Sequence, residues 1–135
     1  MAERFNISII PPGTFGGALG HRLAENGHTV RFHFSQPTKT WVFGNTRQHD
    51  AFPGVIFPHN VISDQGYRNV EEADIVVFTP RSNRAHWDFE RIEPYIRKGT
   101  VFVHGAKGFS KGMTVLQMIE KKGRRPDIAQ KGAVL

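Results

Sequence analysis

The chain has 135 residues, of which 39% are hydrophobic and 22% charged, with a formal net charge of +6 and no cysteine. This is the composition of one folded domain, able to bury about two-thirds of its unfolded surface, and it excludes a disordered chain, a disulfide scaffold and thiolate chemistry. The apolar start is broken at Pro11, too early for a signal peptide or membrane span, so a soluble, cytoplasmic protein with no membrane partner is expected.

Phe5 to Ile10 reads as a buried strand, followed by the turn Pro11-Pro12-Gly13. A helix starts near Thr14 and stops at Gly27, with Phe15, Ala18, Leu19, Leu23 and Ala24 at core-facing spacing. The small residues Gly16, Gly17, Ala18 and Gly20 let it lie close to a sheet. Thr29 to Phe34 alternates and is β-rich, which completes a strand–helix–strand unit of about 30 residues.

Strand, glycine turn and helix N-terminus in that order make a site for a pyrophosphate, because exposed N–H groups and the positive end of the helix dipole converge there. The fingerprint G-x-G-x-x-G reads here Pro11-Pro12-Gly13-Thr14-Phe15-Gly16. Its leading glycine is a proline, which fixes φ, so the tight turn must be rebuilt. The close-approach glycine, Gly13, and the N–H groups of Thr14 to Gly16 survive. No Asp or Glu ends the second strand, where an acid would accept from a ribose 2′-hydroxyl. The run there is Arg31-Phe-His-Phe-Ser-Gln36.

From Gln36 to Asn60 the pattern predicts a short helix near Lys39–Phe43, then a long proline-punctuated loop that serves function, covers one end of the sheet with its aromatics, or does both. Val61–Ser63 is a short strand and Gly66–Glu72 a brief polar helix. Asp74–Thr79 is the clearest strand, a continuous β-branched run covered on both faces. Asn83–Ile96 reads as a helix with Trp87, Ile92 and Ile96 inward. Thr100–His104 is the next strand, followed by a turn through Gly108, a helix Met113–Lys122 and the start of a strand at Ala133–Leu135. From Arg97 onward nine Lys or Arg stand against Glu120 and Asp127. This basic third suits an anionic ligand or a solvated helix face; without interleaved aromatics to stack bases, nucleic acid is the least favoured partner.

Alternating strands and helices define an α/β fold: a doubly wound, mostly parallel sheet of the Rossmann type in three layers, forming a single domain. Ligands of such sheets bind at the carboxyl ends of the strands, here the turns after Ile10, Phe34, Thr79 and His104.

The residues Ile7–Gly27 with His21-Arg-Leu-Ala-Glu-Asn-Gly-His28 resemble the N-terminal NAD(P)-binding domain of NAD(P)-dependent glycerol-3-phosphate dehydrogenase. Asn45-Thr-Arg47, Phe52-Pro-Gly54, Pro58-His-Asn60, Glu71–Val77 with Thr79-Pro80, and Gly105-Ala-Lys-Gly-Phe109 continue the resemblance in colinear order over nearly the whole chain. The resemblance implies a domain, residues 1–135, whose larger relatives reduce dihydroxyacetone phosphate with a nicotinamide cofactor. Beside Gly13 and Gly16 of the fingerprint, it implies cofactor contacts at Thr14 and Phe15, and a contact of Lys107 with both substrate and cofactor. A basic residue often stands in the family at the position of Ser35, where it reads a 2′-phosphate. With Arg47 or Lys39 nearby, Ser35 leans the expectation toward NADP over NAD. The family's C-terminal helical domain, with its main catalytic lysine, lies beyond the likeness, so no catalytic residue is assigned and catalysis by this chain alone is not expected.

Seven histidines offer no i, i+4 pair and there is no cysteine, so no metal is expected. His104, at a strand end near Lys107, could face ligand or hold a structural hydrogen bond. Arg81 and Arg84 could add positive field at the same edge or be solvated. Two readings follow. One is a domain that binds NAD(P) or another anionic small molecule and works with a separate catalytic-domain partner. The other is a cofactor-free binding or assembly module that has lost its dinucleotide and whose incomplete edge at Ala133–Leu135 favours a homo-oligomer.

Overall fold

The computed structural model describes residues 3–81, 84–105 and 133–134. Six strands form one sheet: β1 (Asn6–Ile10), β2 (Thr29–Phe34), β3 (Val61–Gln65), β4 (Ile75–Phe78), β5 (Val101–His104) and β6 (Ala133–Val134). Their order is β3-β2-β1-β4-β5-β6 and every pairing is parallel. The order reverses between β1 and β4, whose register sets Ile9 opposite Val77 and Ile10 opposite Phe78. That reversal opens the crevice where ligands of doubly wound sheets sit.

Three α-helices lie among the described residues: α1 (Thr14–Glu25), α2 (Pro37–Thr46) and α3 (Ala85–Ile92). Strand alternation divides the core. Ile7 and Ile9 of β1 point to the face covered by α1 and α2, where Val30, Phe32, Phe34, Phe43, Phe57 and Val77 pack. Ile10 points to the opposite face, with Val76, Phe78, Phe89, Ile92 and Phe102. Both faces being covered explains the unbroken apolar run of β4. Gly27, at φ +97°, supplies the left-handed residue that ends α1, as its position in the sequence requires.

The inward face of α1 agrees with the expectation at Leu19, Leu23 and Ala24 and at the small residues Gly16, Gly17 and Gly20, and departs from it at Phe15 and Ala18. Phe15 and Ala18 are exposed, and the buried residues are Gly16, Gly17, Gly20 and Ala24, flanked by the half-buried Leu19 and Leu23. The centre of the contact stripe is made of residues with almost no side chain, which leaves Phe15 and Ala18 on the outer side. On α3, Ala85, Phe89, Ile92 and the following Ile96 face inward, and Trp87 is 54% exposed, contrary to its expected burial. Trp87 lies two residues from both Ala85 and Phe89, about 200° around the helix. The helix is also shorter than expected: Pro94 falls in a 3₁₀ turn, Glu93–Tyr95.

The segment after β2 is more ordered than the sequence suggests. The helix there runs from Pro37 to Thr46 and ends on Arg47, which adopts a left-handed conformation at φ +61°. Its guanidinium donates to the carbonyls of Phe57, Pro58 and Val61, which ties the proline-rich loop to the start of β3. Phe52 and Phe57 close over Phe32, Phe34 and Phe43, as expected of aromatics capping the sheet.

Candidate functional site

The turn between β1 and α1 is built around its two prolines. The Pro11 carbonyl accepts from Gly13 N–H at 3.0 Å and from the Thr79 hydroxyl at 3.4 Å. The Pro12 carbonyl accepts from Nε2 of His49 at 2.6 Å. Gly13 caps the helix at φ −76° and ψ −157°, extended backbone open to any residue, and a Cβ added to it would meet nothing within 4 Å. What glycine leaves here is free space above the backbone. Gly16 is different: its Cβ would fall 2.8 Å from Ile9 Cγ2, so its bareness lets α1 rest on β1.

The first helical bond runs from Gly17 N–H to the Gly13 carbonyl at 2.7 Å. The N–H groups of Thr14, Phe15 and Gly16 therefore have no acceptor within the helix, and the cap residue makes no side-chain bond to them. No acidic residue occupies the first turn, so the positive end of the dipole is left uncompensated.

Two adjoining cavities flank this turn at the carboxyl edge of the sheet. One, of about 790 Å³, includes Gly13, Thr14, Thr38, Lys39, His49 and Arg81 in its wall. The other, of about 550 Å³, shares Pro12, Gly13, Gln36, Lys39 and Arg81 and adds Ser35, Tyr67, Arg84, Asp88 and Arg91. The groove thus joins the ends of β1, β2 and β4. Its cations are Lys39, Arg81, Arg84 and Arg91; its carboxylates are Asp50, beside Lys39, and Asp88, beside Arg84.

Of the residues singled out from sequence, Gly13, Thr14, Ser35, Lys39, Arg81 and Arg84 come together here. Gly16 lies beneath the turn, and Phe15, 57% exposed, stands on the outer side of the first helical turn, outside both cavity walls. Arg47 is in neither cavity wall, and its head is committed to the three backbone carbonyls. Lys107 and the expected helix at 113–122 lie outside the described residues.

Sequence reasoning missed His49, Tyr67, Asp88 and Arg91. His49 comes from the proline-punctuated loop, Tyr67 from a stretch read as a brief polar helix, and Asp88 and Arg91 from a helix on which only apolar positions drew attention. Asp88 is 7% exposed, and burial pushes its carboxyl above the usual range while Arg84 and Arg91 pull it back. Burial, then the Asp88 charge, raises the Tyr67 phenol. Tyr67 also stacks on His33, a fully buried histidine between Ser8 Oγ and the Gly66 carbonyl, each at 3.0 Å. His104 is buried and burial lowers its pKa; among the described residues neither ring nitrogen has a partner. The described residues hold no cluster of three potential metal ligands and no helix long and apolar enough to cross a membrane.

A family model described as the N-terminus of NAD-dependent glycerol-3-phosphate dehydrogenase matches residues 6–130. The glycerol-3-phosphate dehydrogenase (NAD(P)+) of Agathobacter rectalis is 26% identical over 127 residues, which is 91% of this chain and 38% of that protein. Among solved structures, glycerol-3-phosphate dehydrogenase from Coxiella burnetii is similar at a TM-score of 0.81 and 21% identity, covering 87% of this chain and 37% of the other. The Saccharomyces cerevisiae glycerol-3-phosphate dehydrogenase is similar at 0.72 and 19%, over 88% and 39%. The chain spans well under half the length of each of these relatives.

Proposed function

This chain belongs to the family of NAD-dependent glycerol-3-phosphate dehydrogenase N-termini, and from that premise we propose that residues 1–135 act as one nicotinamide-dinucleotide-binding domain. The observation that carries the reading is the groove over Gly13: an open glycine, three N–H groups without helical acceptors and four cations along one sheet edge. These residues fit a pyrophosphate, which needs backbone donors, net positive field and no Cβ in its way.

In this reading the pyrophosphate lies over Gly13, Thr14, Phe15 and Gly16. Gly13 admits the close approach, the N–H groups of Thr14, Phe15 and Gly16 donate, and Gly16 keeps α1 near enough for them to reach. The adenosine ribose lies at Ser35 and Gln36. No carboxylate ends β2 to accept from a 2′-hydroxyl, whereas Ser35 with Lys39 and Arg81 suits a 2′-phosphate, so NADP is the favoured cofactor. The family resemblance alone assigns Lys107 to contact with cofactor and substrate.

The bound cofactor would supply hydride chemistry. The chain's own residues bind and orient it. Reduction of dihydroxyacetone phosphate is the reaction proposed for the assembled protein, with acid–base groups and water exclusion contributed by a separate catalytic domain. Calorimetric titration with NADPH tests the binding directly: micromolar affinity weakened in Gly13→Val is expected. A folded protein that takes up neither NADPH nor NADH would favour the cofactor-free assembly module instead.

A further inference from the structure

We propose, on the nucleotide-binding reading above, that His49 is a positioning residue: it holds the Pro12–Gly13 peptide in the orientation that aims the first turn of α1 at the dinucleotide. The hydrogen bonds define its state. Ala51 N–H donates to Nδ1 of His49 at 3.0 Å, so Nδ1 is the acceptor and the ring proton sits on Nε2. That proton points at the Pro12 carbonyl, 2.6 Å away and buried.

The ring has little freedom to turn. It packs against Phe52, Phe34 and Phe57 at centroid distances of 5.3, 5.9 and 6.1 Å. On its other side a Cβ at Gly17 would lie 3.2 Å from its Cδ2. Helix α1, the aromatic cap and the loop after α2 therefore fix the donor in space.

Because the peptide is planar, holding the Pro12 carbonyl also fixes the Gly13 N–H, which donates back to Pro11. Gly13 in turn accepts the first helical bond. A glycine at the fingerprint's first position would reach the turn through its own backbone freedom. Pro11 has none, and a side chain 37 residues along the chain imposes the shape instead.

Two conservative variants separate this role from simple support of the loop. A glutamine amide nitrogen stands about where Nε2 does, and an asparagine oxygen about where Nδ1 does. His49→Gln keeps the bond to Pro12; His49→Asn keeps only the bond from Ala51. NADPH affinity should stay near wild type in His49→Gln and fall about tenfold in His49→Asn. The Gly13 amide NMR resonance, recorded without nucleotide, should hold in His49→Gln and move in His49→Asn. The reverse order in either measurement, or an unmoved Gly13 resonance in both variants, overturns the positioning role. A wild-type protein that binds neither NADPH nor NADH overturns the nucleotide reading, and the Gly13 resonances alone then decide what His49 holds.

Discussion

Gly16 and Ile9 meet where no side chain on the helix would fit: a Cβ on Gly16 would lie 2.8 Å from Ile9 Cγ2 and 3.2 Å from the Pro11 carbonyl. The approach of α1 to β1 is therefore set by a missing methyl group. Gly16→Ala should destabilise the fold by about 1–3 kcal/mol, the usual cost of overpacking, read by chemical denaturation. Tolerance at no cost would mean that α1 slides freely on the sheet.

Gly13 makes the opposite prediction. With nothing near its Cβ position and an ordinary extended backbone, Gly13→Ala should leave stability within about 0.5 kcal/mol of wild type. NADPH binding should weaken all the same, because the methyl group enters the space assigned to the pyrophosphate. A loss of stability in parallel with binding would show that the glycine serves the fold.

Arg47 carries a structural load. Its three carbonyl acceptors lie on Phe57, Pro58 and Val61, so Arg47→Met should cost about 2 kcal/mol or more as those groups lose a charged donor. Nucleotide affinity at saturating fold should not change. A selective loss of NADPH over NADH in this variant would restore Arg47 to the 2′-phosphate role expected from sequence.

His33 and His104 give a pH dependence. Burial lowers both below the ordinary value of 6.5, with the Gly66 carbonyl partly opposing it at His33. As pH falls below 6.5 the unfolded chain takes up protons that the folded chain refuses, so stability is full above 6.5 and declines below it. Unfolding free energies across pH 5 to 8 should show this slope, reduced but not abolished in His33→Asn, which cannot titrate. A flat profile through that range would mean that neither ring is held neutral.

Much of this architecture is legible in the residues themselves. The apolar run at 7–10, the alternating β-rich run at 29–34 and the β-branched run at 75–78 mark three of the parallel strands, and Gly27 ends α1 where a left-handed residue is needed. The close contact of Gly16, Gly17 and Gly20 with the sheet is legible in their size, whereas Phe15 and Ala18 read as core because apolar character alone does not fix which way the helix is turned. Arg47 reads as a ligand cation in sequence, since nothing local shows that Phe57, Pro58 and Val61 will gather their carbonyls around it. His49 is invisible for the same reason. Its partner Pro12 is remote in the chain, and only the folded loop brings the two within 2.6 Å.

The central claim is that the groove between β1, β2 and β4 takes a nicotinamide dinucleotide and favours the 2′-phosphorylated form. The most direct test is a pair of calorimetric titrations of the purified chain with NADPH and NADH at fixed ionic strength. Micromolar binding of NADPH, several-fold tighter than NADH and reduced by Lys39→Ala, is the predicted result. Equal or tighter binding of NADH would contradict the assignment at Ser35 and Lys39, and no heat from either ligand with folded protein would contradict the site itself.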